Sequence, residues 1–231
     1  MSTNLAKQLR EGTTKSHSMA ENVSFVKSFL GGVVDKKSYR KLVANLFFIY
    51  SAIEQQIEKN KDHEAIKSIY FPELFRQSSL AQDLNYYYGV NWSNQITPSS
   101  ATKLYINRIN SIGINQPELL VAHAYTRYIG DLSGGQILKK IAVNAMNLTN
   151  NVGVSFYDFK AIEDEKSFKE KYKKALNNIP LNDIQISQVI TEANIAFNLN
   201  MQIFKELDSS LIKVMIMLFI SSLNSLRKKI V

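Results

Sequence analysis

The sequence predicts an all-α protein, a single-domain bundle of about seven to nine helices. Two long stretches, residues 39–57 and 186–207, carry apolar residues at every third or fourth position, which is the spacing of one helix face. No convincing stretch alternates apolar and polar residues with the two-residue period of a half-buried strand. The chain has 231 residues, 45% of them hydrophobic and 21% charged, so residues 1–231 are assigned to one domain.

Clusters of glycine, proline and asparagine predict where the helices end. These breaks fall at residues 31–32, around 72, and at 89–100, 113–117, 147–153 and 177–180. Near the C-terminus, residues 214–226 form the longest uncharged apolar stretch. It is shorter than the roughly 20 residues that a membrane span needs, and it includes serines and an asparagine, so a core helix is expected there.

The first helix carries a histidine among its small and apolar positions. These positions follow helical spacing, and they are Leu5, Leu9, Thr13, His17 and Ala20. The imidazole of His17 is therefore expected to point into the body of the protein. Glu21 lies one turn further on and could orient a metal-ligating ring, directly or through water. A core histidine satisfied by hydrogen bonds is the alternative.

A second unusual segment, residues 125–136, places three glycines inside what otherwise reads as one long helix. Each mid-helix glycine costs roughly 1 kcal/mol relative to alanine, so the three call for an explanation. Gly130 and Gly134 are four residues apart and share one face, where a flat ligand could lie against the backbone. Arg127 and Asp131 lie beside that surface. A close helix crossing or a kink would also explain the glycines.

Composition narrows the possible chemistry. The chain has no cysteine, which excludes disulfides, thiolate haem ligation, iron–sulfur clusters and cysteine nucleophiles. Its net charge is +8, and a basic chain of this kind could bind nucleic acid, an anionic membrane surface, or an acidic protein or ligand. No zinc-finger or RNA-binding signature organises the basic residues, so nucleic acid is disfavoured. Lys169 and Lys173 share a helix face that could hold two carboxylates, although a solvated face is the simpler explanation.

The N-terminus shows neither a secretory signal nor the character of a transit peptide. We therefore expect a soluble chain without a membrane anchor, either cytoplasmic or, if encoded in a plastid, in the plastid stroma.

Several segments together resemble the haem oxygenases, specifically the soluble members of bacteria, cyanobacteria and algal plastids. The resemblance covers nearly the whole chain. It rests on residues 5–10, 70–74, 118–128, 130–136 and 192–197. It implies a fold in which haem is sandwiched between a proximal helix and a glycine-kinked distal helix.

The resemblance implies oxidative opening of haem b by molecular oxygen and donated electrons, giving biliverdin, carbon monoxide and ferrous iron. Haem is then both cofactor and substrate. His17 matches the family's proximal iron ligand, with Glu21 beside it. His63, in a polar run, and His123, outside the ligand motif, are weaker candidates.

On the distal side, the family's pattern falls on Gly130, Gly134 and Asp131. The glycines leave room over the iron, and the aspartate orders water for proton delivery. Tyr50, Arg127 and Tyr125 match positions that support this network.

For the haem propionates, the resemblance nominates four residues: Arg10, Tyr125, Lys169 and Lys173. Phe197 is expected to line the pocket. Lys173 departs from animal relatives, which have arginine there, and an ammonium grips a carboxylate less rigidly than a guanidinium does. We still expect the α isomer of biliverdin.

Reduced ferredoxin is the expected electron donor, because an acidic protein suits a basic chain and because of the resemblance. A bilin reductase is a possible downstream partner, which would place the reaction in bilin and phycobilin synthesis for photosynthesis. The alternative function is a non-catalytic haem carrier, which would share His17 and the pocket.

Overall fold

The computed structural model describes residues 3–150 and 152–227, and side chains up to residue 207. Within these residues the regular structure is helical, and they contain no strand. The α-helices are α1 Leu5–Gly12, α2 Thr14–Glu21, α3 Ser24–Leu30, α4 Lys36–Lys59, α5 Glu64–Lys67, α6 Gln77–Tyr88, α7 Ser100–Asn115, α8 Leu120–Ala124, α9 Gly130–Ala145, α10 Glu165–Asn177 and α11 Asp183–Arg227. Short 3₁₀ helices occur at Pro72–Leu74, Trp92–Asn94, Pro117–Leu119 and Ser155–Tyr157. The all-α fold is confirmed.

Helix α4 shows how the apolar stripe becomes the core. It begins at the N-cap Asp35, whose carboxylate accepts a hydrogen bond from the Ser38 amide at 2.9 Å. The expected stripe is buried throughout, and it comprises Tyr39, Leu42, Val43, Leu46, Ile49, Tyr50, Ile53 and Ile57. This face packs against α6 and α7. Helix α11 is the other organising element, because it packs against α1, α2, α3, α4, α7 and α8.

The N-terminal segment differs from the single helix expected. It divides at Thr13, whose φ of −109° and ψ of 0° leave the helical region. The Thr13 hydroxyl donates to the Leu9 carbonyl at 2.7 Å, a back-bond that bends helices. Thr13 is buried, but α2 beyond it has no buried residue. The buried face of α1 therefore does not continue to His17. This division, together with the short helix α5, gives more helices than the seven to nine expected.

The predicted breaks are confirmed. Gly89 ends α6 with a φ of +80°, in the left-handed region that favours glycine. Pro72 and Pro117 each open a 3₁₀ turn, where the missing amide hydrogen costs nothing. One feature was not expected, namely the π-helical turn Tyr125–Ile129 between α8 and α9, immediately before Gly130.

Residues 214–226 are helical, as expected, within α11. Whether their side chains belong to the core lies outside the described residues. Across the part of the chain that the structure describes, no helix is both long enough and apolar enough to cross a membrane.

Candidate active site

One cavity is lined by half of the predicted site residues, namely Arg10, His17, Tyr125, Gly130, Lys173 and Phe197. It has a volume of about 510 Å³, within the range of small-molecule sites. Residues of α1, α2, the π-helical turn, α9, α10 and α11 line it, and the lining residues are Ala6, Arg10, Thr13, Thr14, His17, Tyr125, Thr126, Ile129, Gly130, Ser133, Lys173 and Phe197. The predicted proximal segment and the glycine segment thus form walls of one cavity.

On the proximal wall, His17 is not buried among apolar residues as the sequence suggested. Its side chain is 60% exposed, because the break at Thr13 turns it away from the core and towards the open cavity. Nδ1 of His17 lies 3.5 Å from Oε1 of Glu21, as expected for an orienting carboxylate. The imidazole also meets the Phe197 ring edge-on, with a centroid distance of 5.7 Å. With Nδ1 facing Glu21, Nε2 is the nitrogen left to bind a metal.

A second wall is formed by the start of α9, where Gly130 and Gly134 leave bare backbone. A Cβ added to Gly130 or Gly134 would meet no atom within 4 Å, and Gly130 lines the cavity directly. A Cβ on Gly135 would instead lie 3.5 Å from the Tyr157 ring. A close helix crossing therefore accounts for neither Gly130 nor Gly134, whereas a flat ligand against the helix accounts for Gly130. The π-helical turn distorts the helix immediately before Gly130, and such turns are frequent at functional sites.

Behind this wall, three predicted residues form a hydrogen-bonded network. The Tyr50 hydroxyl donates to Oδ2 of Asp131 and accepts from Nε of Arg127 at 2.9 Å. Arg127 Nη2 lies 3.9 Å from the other Asp131 oxygen. Asp131 does not line the cavity itself, but it follows Gly130 directly. The network therefore holds a carboxyl group in a fixed place beside the glycine surface.

Burial dominates the electrostatics of this network. It raises the pKa of the Asp131 carboxyl, and the Arg127 charge and the Tyr50 hydrogen bond oppose that rise. It also raises the pKa of Tyr50 well above its ordinary value, so the phenol stays protonated and able to donate. Burial lowers the pKa of Arg127, but Tyr50 and Asp131 more than offset this. A carboxyl group whose pKa is raised by burial holds a proton more tightly than an exposed aspartate does.

Asn200 was missed as a member of this network. Its Oδ1 accepts from Nη1 of Arg127 at 2.8 Å, and its amide donates to the Ala196 carbonyl at 2.9 Å. It therefore fixes the guanidinium from the side of α11. A signal was present, because Asn200 is a polar residue within the apolar stripe of that helix.

At the rim of the cavity, the predicted carboxylate-binding residues are only partly assembled. Arg10, Tyr125 and Lys173 line the cavity, and Arg10 is near enough to lower the pKa of Tyr125, which burial raises. Lys173 also contacts Glu170 at 2.7 Å. Lys169 is on α10 as expected, but it does not line the cavity.

The other two histidines have structural roles. His63 caps α5 by accepting a hydrogen bond from the Ala65 amide at 3.3 Å. His123 is fully buried, with Nε2 donating to Glu192 at 2.9 Å and Nδ1 lying 3.2 Å from the Tyr105 hydroxyl. Among the described residues, no three His, Cys, Asp or Glu side chains gather as a metal site. A single imidazole such as His17 suits an iron that brings its own macrocyclic ligand.

The residues of the cavity fit a haem group on three counts. The imidazole of His17 and the backbone of Gly130 line the same cavity, Phe197 offers an aromatic surface, and Arg10 and Lys173 add two exposed cations to the lining. A Cβ at Gly130 would project into this cavity, so the absent side chain keeps space for a planar ligand.

Comparison with known proteins agrees with this geometry. The family model described as heme oxygenase matches residues 3–206. The heme oxygenase of Porphyra purpurea is 66% identical over 229 residues, which cover 99% of this chain and 97% of the relative. Heme oxygenase 1 of Synechocystis is 55% identical over 229 residues, covering 99% of this chain and 95% of the relative.

Solved structures show the same relationship. The crystal structure of Synechocystis heme oxygenase-1 in complex with heme matches with a TM-score of 0.91 and 56% identity, covering 95% of this chain and 99% of that one. Heme oxygenase-2 of Synechocystis, in complex with heme and NO, matches with a TM-score of 0.90 and 46% identity, covering 93% and 88%. On these matches, this chain belongs to the haem oxygenase family.

Proposed function

We propose that this protein is a haem oxygenase that converts haem b to biliverdin IXα, carbon monoxide and ferrous iron, with residues 1–231 acting as one domain. One observation supports this above the others. An imidazole and a bare helix backbone line the same cavity, and a buried carboxyl group follows that backbone directly. A haem carrier needs the imidazole and the cavity, but it does not need a carboxyl group held beside the open glycine surface.

Bound haem supplies the iron at which oxygen is reduced, and its own ring is the substrate that is opened. His17 binds on one side through Nε2, with Glu21 holding Nδ1. On the other side, Gly130 leaves room for oxygen against the backbone. Asp131 holds and returns protons through ordered water, and Tyr50 and Arg127 fix its position.

The residues at the rim of the cavity orient the haem. Arg10, Tyr125 and Lys173 bind the propionates, so the haem enters with its carboxylates outward and one face towards Gly130, and the anchored propionates fix which ring edge lies nearest the oxygen. Lys169 can reach a propionate only if its side chain moves towards the cavity, so it is the least supported of the four. This orientation selects the α isomer.

The electron donor and the fate of the product are further parts of the proposal. Reduced ferredoxin suits a chain with a net charge of +8, because acidic donors are attracted to basic surfaces. The similarity to red algal and cyanobacterial relatives supports bilin synthesis, with a bilin reductase as the next enzyme. It also supports the plastid stroma or the cytoplasm as the location.

A time course of absorbance tests the proposal. The protein is loaded with one equivalent of hemin and then supplied in air with ferredoxin, its reductase and NADPH. We expect the haem bands to decay while biliverdin absorbance grows, with chromatography identifying the α isomer. A saturated haem complex that stays unchanged under these conditions would support the carrier function instead.

A further inference from the structure

The short helix α2 is tied to α11 by one asparagine. Nδ2 of Asn194 donates to the Gly12 carbonyl at 3.1 Å and to the Ile190 carbonyl of its own helix at 2.9 Å. Its Oδ1 accepts a hydrogen bond from the Ser16 hydroxyl at 2.5 Å. Ser16 immediately precedes His17, so this bond is made next to the imidazole-bearing residue. Asn194 thus spans the end of α1, the middle of α2 and the body of α11.

The short distance between the α1–α2 junction and α11 depends on Gly12. A Cβ added to Gly12 would lie 2.5 Å from Cγ2 of Ile190, which is too close for any real side chain. Cγ2 is attached directly to the β-carbon of Ile190, so it cannot swing away as the end of a long side chain could. Gly12 therefore allows the chain at the α1–α2 junction to approach α11 closely.

These contacts lie on the face of α11 that also meets the histidine. Ile190, Asn194 and Phe197 are spaced by four and three residues, which places them on one side of the helix. Phe197 meets the His17 ring at a centroid distance of 5.7 Å. Helix α2 has no buried residue of its own, so little core packing is available to fix it. Its position relative to α11 depends on these specific contacts.

We propose that Asn194 is a positioning residue, which with Gly12 and Ser16 fixes the register of α2 on α11 and so sets where the His17 imidazole stands. The inference rests on the proposed function, in which His17 binds the haem iron. Asn194 itself touches neither the cavity lining nor the ring of His17 in this arrangement. It acts through the Ser16 side chain and the Gly12 carbonyl, and thereby through the position of α2.

The first experiment compares Asn194→Ala and Ser16→Ala with a matched control. Asn198→Ala lies one turn further along α11, at an exposed position where the asparagine Oδ1 accepts a hydrogen bond from Gln202 at 2.8 Å. Each protein is loaded with hemin and reduced, and the Fe–His stretching band is recorded by resonance Raman spectroscopy. The rate of hemin loss to a scavenger is measured alongside.

We expect Asn194→Ala to shift and broaden the Fe–His band and to lose hemin about tenfold faster, the usual scale for outer-shell partners. Ser16→Ala should move both readouts in the same direction by less, and Asn198→Ala should match the wild type. An Asn194→Ala protein with the wild-type band and the wild-type rate of hemin loss would overturn the inference. Absence of any His17-dependent band in the wild type would overturn the proposed function as well.

A second test keeps the inference falsifiable if Asn194→Ala does not fold. Gly12→Ala should produce the same shifted band, because the new methyl group pushes α2 away from α11. Adding Ile190→Ala removes the atom that it meets, so the double variant should recover the wild-type band. Two unrelated folding defects would add rather than cancel. A double variant more perturbed than Gly12→Ala alone would refute the role of this contact.

Discussion

Replacing Gly130 by alanine should stabilise the protein while impairing its activity. Gly130 has a φ of −61° and a ψ of −49°, ordinary right-handed helical values that alanine adopts without strain. The added Cβ would meet no atom within 4 Å, so no packing is disturbed. Alanine at a helical position is favoured over glycine by about 0.5–1 kcal/mol. For a chain of this size, that gain corresponds to a rise in Tm of about 1–4 °C.

The same methyl group should reduce turnover because Gly130 lines the cavity. The methyl group would occupy cavity space beside Gly130, where the proposed function places the oxygen. We expect slower biliverdin formation and an altered haem absorbance spectrum, although the protein without haem is more stable. Thermal unfolding of that form and the absorbance time course with ferredoxin measure the two effects separately.

Gly135→Ala is the matched control. Its Cβ would make ordinary contact with Tyr157 at 3.5 Å, away from the cavity lining. This variant should gain stability in the same way and keep wild-type turnover. The reasoning is refuted if Gly130→Ala is destabilised, since the structure leaves the position open, or if it turns over haem at the wild-type rate with unchanged regiochemistry.

Three further predictions concern the remaining site and core residues. His17→Ala should lose the imidazole-type haem spectrum and most turnover, and an unchanged spectrum would place the ligand elsewhere. Asp131→Ala should still bind hemin but form biliverdin about 100-fold more slowly, which is the usual effect of losing a proton-transfer group. A normal yield of biliverdin from this variant would remove Asp131 from the mechanism. Burial raises the pKa of Glu192, but hydrogen bonds from Arg108 and His123 outweigh it and lower that pKa to about 2. Because the folded-state pKa lies below the unfolded value, Glu192 should contribute stability above about pH 4.5 that is lost as pH falls towards 2, and Glu192→Gln should lack this part of the urea-measured pH dependence.

The amino-acid sequence was enough to determine the helices and most of their ends. The stripe of α4 and the breaks at Pro72, Gly89 and Pro117 are local properties, because periodicity and backbone restrictions act over a few residues. The sequence also singled out candidates that line the cavity, since Gly130 is conspicuous as a glycine inside a helix, where it costs stability.

Only the tertiary structure decided how these residues face one another. The break at Thr13 turned His17 from an expected core position to a cavity wall, and the helical spacing across residues 5–20 gave no sign of it. The π-helical turn before Gly130 and the position of Lys169 away from the cavity likewise depend on packing between helices. Asn200 became a partner of Arg127 only because α11 crosses behind the π-helical turn. Periodicity specifies which face of a helix is apolar, but long-range packing selects the neighbour that covers that face and the side chains left facing a cavity.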